Sequence, residues 1–82
     1  MTTYTEITKK PTILDKVRYG LTNGYHVVVF FNYDKTTDMY RDSVRFDPND
    51  NIILVLQNIE KLGKQELDET RTYWNTYEIT CK

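Results

Sequence analysis

The sequence predicts a single α+β domain over residues 1–82, with two helices packed on one face of an antiparallel sheet. Two observations predict this class. The run Val27–Phe31 is entirely β-branched or aromatic, which is typical of a buried strand. After Asp47-Pro48, apolar residues recur with the spacing of an amphipathic helix. The length of 82 residues leaves room for one domain only.

The first part of the chain predicts a strand followed by a helix. Residues 3–8 are rich in β-branched and aromatic side chains and predict a short strand. Pro11 suits the first turn of a helix, and Asn23-Gly24 is a typical helix end. The apolar residues between them with helical spacing are Ile13, Leu14, Val17 and Leu21. Asn-Gly is also a favoured hairpin turn, so a hairpin around residues 23–24 is the alternative.

The middle of the chain predicts a β-hairpin. Tyr25–Asn32 predicts the first strand because it contains the apolar run. Residues 33–38 form a polar connection. Met39–Phe46 alternates between apolar and polar positions, which predicts the second strand.

The last part of the chain predicts a helix, a loop and a final strand. Asp47 can cap the helix, Pro48 suits its first position, and Gly63 ends it, so the helix is predicted over 48–62. Its predicted core stripe comprises Ile52, Val55, Leu56, Ile59 and Leu62. Residues 64–69 predict a charged loop, and residues 70–80 predict a strand.

The resulting order βαββαβ is similar to the ferredoxin-like two-layer sandwich. That arrangement implies that the strand Tyr25–Phe31 lies at a sheet edge. Its apolar residues on both faces are instead typical of a central strand. We therefore expect either a different strand order or an edge covered by another subunit.

Few residues indicate chemistry. His26 is the only histidine and Cys81 the only cysteine, and neither has a partner at a recognisable spacing. Ser43 lies in no nucleophile motif, the aspartates do not match a calcium loop, and the three glycines form no phosphate loop. We expect no enzymatic activity, no metal and no cofactor.

The sheet face opposite the helices is the first candidate binding surface. Arg41 and Arg45 are expected there, and Trp74 is expected to share that face with Glu78. Basic and aromatic residues on an open sheet bind single-stranded nucleic acid, as in the RNA-recognition fold. The aromatic signature of that fold is missing from residues 39–46, and the net charge of -1 disfavours nucleic acid. Nucleic-acid binding is therefore the alternative function.

Protein binding is the preferred function, because Trp, Tyr and Arg dominate binding hot spots. In size and composition the chain is similar to phage-encoded inhibitors of host machinery, including anti-CRISPR proteins. This resemblance implies a viral inhibitor of host defence that acts in the host cytoplasm. No sequence motif carries the resemblance, and no signal peptide or membrane span is evident.

Leu54 is the second candidate for a binding surface. With about 100° per residue, it lies opposite the predicted core stripe of its helix. Two further features favour self-association: the core of so short a chain is small, and the strand Tyr25–Phe31 is apolar on both faces. The sequence therefore predicts a homodimer, with Arg41, Arg45, Trp74 and Leu54 as the candidate partner-binding residues.

Overall fold

The computed structural model describes residues 11–82. The predicted strand over residues 3–8 lies outside the described residues. The described elements are α1 (Ile13–Thr22), β1 (His26–Asp34), β2 (Met39–Phe46), α2 (Ile52–Glu60), β3 (Leu67–Tyr73) and β4 (Thr76–Cys81). The α+β class is confirmed. No helix of residues 11–82 combines the length and the apolar composition needed to cross a membrane.

The four described strands form one mixed sheet in the order β2-β1-β4-β3. β1 is antiparallel to β2 and parallel to β4, while β3 and β4 form an antiparallel hairpin. The predicted wholly antiparallel sheet and the βαββαβ order are therefore wrong for residues 11–82, where the order is αββαββ. The reason is local: the segment predicted as a loop and one strand contains two strands joined at Trp74-Asn75.

β1 is a central strand, with β2 on one side and β4 on the other. Val27 and Val29 are buried, while Val28 and Phe30 on the opposite face are half-buried. The central position explains why the strand is apolar on both faces. It also means that this strand requires no second subunit to cover an edge.

α1 forms as predicted, and the alternative hairpin at Asn23-Gly24 is excluded. Thr12 caps the helix through a reciprocal capping box with Asp15. Gly24, with φ of 84°, follows the helix and allows the chain to turn into β1. α1 rests directly on the sheet at Gly20, where an added Cβ would lie 2.6 Å from Val27 Cγ2.

One core joins both helices to the same face of the sheet. α1 contributes Val17, and α2 contributes Val55. The other buried hydrophobic residues are Val27, Val29, Phe46, Leu62, Tyr77, Ile79 and Cys81. The predicted placement of both helices on one face is consistent with this core.

α2 is shorter than predicted, and it begins later. Asn51 is its N-cap and accepts a hydrogen bond from the Ile53 amide. Asp47 to Asp50 form a separate turn instead, in which the Asp47 amide donates to the Asp50 carboxylate at 2.8 Å. The predicted Asp47 cap with Pro48 at the first helical position is therefore wrong.

Candidate interaction surface

The predicted cluster of Arg41, Arg45 and Trp74 does not form. Both arginines are exposed on β2, one edge of the sheet. Trp74 lies in the turn between β3 and β4, and β3 is the opposite edge. The turn that carries Trp74 therefore lies two to three strand spacings from β2, or roughly 10–14 Å at about 4.8 Å per spacing. The prediction failed because it placed Trp74 inside a strand, where alternation would have put it on the open face.

The charge on the far side of the open face is already paired. Arg71 on β3 forms an ion pair with Glu78 on β4 at 3.2 Å. The same guanidinium lies over the Tyr73 ring, 5.1 Å from its centroid. This half of the open face therefore carries a neutral Arg–Glu–Tyr cluster, and Glu78 is not the partner of Arg41 or Arg45.

Trp74 combines complete exposure with an unfavourable backbone conformation. Its side chain is 94% exposed, and its φ is 54°. A bulky residue rarely adopts a positive φ, and Gly or Asn is preferred there. The exposure of Trp74 at the tip of this hairpin is observed, and its contact with a partner stays a prediction.

α2 carries the most extensive apolar exposure among residues 11–82. Its four exposed aliphatic residues form what we call the α2 surface: Ile52 (52% exposed), Ile53 (60%), Leu54 (57%) and Leu56 (39%). Leu54 is exposed, as its angular position predicts. Ile52 and Leu56 were predicted to face the core, and this is wrong. The helix is rotated so that Val55 faces the core, with Leu62 beyond its end.

A groove between the two helices continues the α2 surface. It has a volume of about 340 Å³. It is lined by Leu14, Arg18, Leu21, Thr22, Ile52 and Leu56. Its apolar walls extend the exposed aliphatic area from α2 onto α1. Sequence reasoning found Leu54 alone, because the other residues of the surface fitted a core stripe.

The side chains of residues 11–82 that could act in catalysis or hold a metal are His26, Cys81 and the carboxylates. His26 Nδ1 lies 2.5 Å from Asp47 Oδ1, and both side chains are substantially exposed. Cys81 is fully buried, and burial raises the pKa of its thiol to about 11, with a smaller contribution from the charge of Asp68. A thiol with this pKa is protonated at neutral pH and is a poor nucleophile. Within residues 11–82, no group of three His, Cys, Asp or Glu side chains could hold a metal ion.

A polar depression of about 600 Å³ lies beside the β1–β2 hairpin. Asn32 donates a hydrogen bond to the Asp42 carboxylate at 2.8 Å across it. The hydroxyl of Tyr33 donates to Asp38 nearby, and this hydrogen bond raises the pKa of Tyr33. Lys35 and Arg41 also line the depression, which is a solvated surface of the hairpin.

Comparison of the chain with protein-family models, with curated proteins and with solved structures finds no match.

Proposed function

We propose that this chain is a non-catalytic protein-binding module, and that the α2 surface is where its partner docks. The observation that carries the proposal is the exposure of four large aliphatic side chains within one nine-residue helix. Scattered exposed aliphatic residues are ordinary, whereas a contiguous group of them marks an interaction site.

The free energy available at the α2 surface is large enough for specific binding. Four side chains exposed by roughly one half equal about two fully exposed ones. Complete burial stabilises each by about 1.5–3 kcal/mol, so the surface can contribute roughly 3–6 kcal/mol before the costs of association. The flanking groove adds Leu14 and Leu21 to this area.

The chemistry of the α2 surface favours a protein partner over nucleic acid. Phosphate binding requires several cations on one surface, and among residues 11–82 Arg18 is the only cation that lines the groove. The nucleic-acid alternative depended on Arg41, Arg45 and Trp74 sharing a sheet face, whereas Trp74 lies in the β3–β4 turn, outside the strands that form that face. Protein binding is therefore the better supported of the two functions.

The inhibitor function expected from size and composition is a finer form of the same proposal. A protein that inhibits by covering a partner's surface needs an apolar contact area and no catalytic group. The α2 surface supplies such an area. Loss of host-defence inhibition in an Ile53→Asp variant, measured in cells carrying that defence, is the result this finer form predicts.

The test compares three purified proteins: the unmodified chain, Ile53→Asp on the α2 surface, and Thr37→Asp as the matched control. Thr37 is exposed in the turn between β1 and β2, so its substitution adds the same charge far from α2. Each is immobilised and exposed to the purified chain and to extract of the source cells. Any captured protein is then purified, and its dissociation constant is measured for all three.

We expect the unmodified chain and Thr37→Asp to bind equally, and Ile53→Asp to bind at least about tenfold more weakly, because a buried carboxylate loses its hydration. Equal binding by all three proteins would exclude the α2 surface as the site where the partner docks. Salt-sensitive binding of a single-stranded oligonucleotide that Ile53→Asp retains would favour the nucleic-acid alternative instead.

A further inference from the structure

We propose that the partner of the α2 surface is a second copy of this chain, with the two α2 helices packed antiparallel about a two-fold axis. This inference rests on the proposed function, because it names the protein that the α2 surface binds. A two-fold contact requires a surface that is complementary to itself. The α2 surface meets this requirement in both its apolar centre and its flanking charges.

The charges at the two ends of α2 have opposite sign. Asp47, which contacts a histidine of its own chain, and Asp50 precede the helix, while Lys61 and Lys64 follow it and outweigh Glu60. All five side chains are exposed. Antiparallel packing places the acidic end of one copy beside the basic end of the other, whereas parallel packing would place like charges together.

Asp50 and Lys61 are available for such a pairing. Among residues 11–82, neither side chain forms an ion pair within its own chain. The Asp50 carboxylate accepts only a short-range hydrogen bond from the Asp47 amide. A contact between Asp50 and the Lys61 of a second copy therefore does not require breaking an existing ion pair.

The exposed aliphatic residues lie between these two charges. Ile53 and Leu54 belong to the first turn of α2, and Leu56 follows on the next turn. Antiparallel helices bring Ile53 of both copies together near the axis, with Leu54 and Leu56 on either side of it, at the usual separation of about 8–10 Å between helix axes.

The area favours a weak dimer. A nine-residue helix is about 14 Å long, and the groove beside it adds part of α1. Two copies would bury roughly 1,000 Å², near the lower limit of a specific interface. We therefore expect reversible association in the micromolar range, and no permanent dimer.

The experiment is sedimentation equilibrium of the full chain between about 1 µM and 500 µM. We expect the average mass to rise from 9.8 kDa toward twice that value as concentration rises. Ile53→Asp should weaken association at least about tenfold, and Thr37→Asp should leave it unchanged.

A charge exchange tests the antiparallel geometry. Asp50→Lys gives a chain with Lys at both positions 50 and 61, and Lys61→Asp gives a chain with Asp at both. Each alone should associate more weakly than the unmodified chain. An equimolar mixture should recover the unmodified association, because each end then pairs opposite charges. Thermal denaturation of each variant establishes that it is folded.

Three outcomes would overturn the proposal. A constant mass of 9.8 kDa at all concentrations excludes the second copy, and the proposed function then stands only if a foreign protein is lost with Ile53→Asp. A dimer that is insensitive to both Ile53→Asp and the charge exchange places the contact elsewhere. An equimolar mixture of Asp50→Lys and Lys61→Asp that associates no better than either variant alone excludes the antiparallel pairing.

Discussion

Replacing Trp74 with glycine should stabilise the protein. At φ of 54°, the Cβ of an L-residue crowds the backbone at a cost of about 1–2 kcal/mol. The side chain is 94% exposed, so its removal forfeits almost no burial. Glycine costs about 0.5–1 kcal/mol in backbone entropy. The net expectation is a gain of about 0–1.5 kcal/mol in the free energy of unfolding.

The assay is urea and thermal denaturation followed by circular dichroism. A gain of this size raises the Tm by a few degrees in a domain of this length. Asn75→Gly is the matched control, because Asn75 shares the turn but has no positive φ. The control should lose about 0.5–1 kcal/mol. If Trp74→Gly lost as much stability as Asn75→Gly, the strain assigned to Trp74 would be refuted.

Three further perturbations have defined outcomes. Gly20→Ala should destabilise the fold by about 1–3 kcal/mol, although alanine favours helices, because its Cβ would meet Val27 and Tyr77. Thr22→Ala, on the exposed side of the same helix, is the control and should not destabilise the fold. Equal melting temperatures of the two variants would refute the close packing at Gly20. At pH 8 the rate of Cys81 alkylation should be about a hundredfold below that of a thiol with the ordinary pKa of 9.0, rising with pH toward 11, and fast labelling of the folded chain would contradict the burial. Charge reversal at both Arg41 and Arg45 should change the free energy of unfolding by less than about 1 kcal/mol, because both are exposed; a larger loss in denaturation would reveal contacts that the structure lacks. If Arg41 and Arg45 bind the partner, as the sequence predicts, this reversal should weaken partner binding. If the partner docks on the α2 surface, the affinity should be unaltered. The measured dissociation constant therefore distinguishes β2 from the α2 surface as the binding site.

The sequence predicts correctly those elements whose type follows from the residue pattern within the segment itself. The apolar run of β1 and the alternation of β2 identified their hairpin, and its register follows from that alternation. The helical spacing before Asn23-Gly24 identified α1. In each case the spacing of apolar residues is unbroken along the whole segment.

The β3–β4 hairpin escaped prediction because its turn has no characteristic residue at the first position. Trp74 occupies a conformation in which glycine or asparagine is usual, so the strand signal continued unbroken across the turn. The parallel pairing of β1 with β4 depends on residues about 50 positions apart, which no local pattern encodes.

The α2 surface escaped prediction for a different reason. Periodicity fixes which residues share a helix face, and the docking of the helix fixes how that face is rotated. Five apolar residues fit one stripe, but in the folded protein only Val55 and Leu62 of these are buried, and Ile59 packs against the core. Ile52 and Leu56 are therefore exposed by tertiary packing, which the sequence pattern does not contain.

One titration tests whether the α2 surface binds a second copy of this chain. The most direct measurement is the map of amide chemical shifts when a ¹⁵N-labelled chain is titrated with unlabelled chain. We expect shifts concentrated at residues 52–57 of α2 and at Leu14 and Leu21 of α1, with β2 and β3 unaffected. Shifts confined to β2 or β3, or spectra that stay constant up to about 1 mM, a concentration at which even weak specific association is populated, would contradict it.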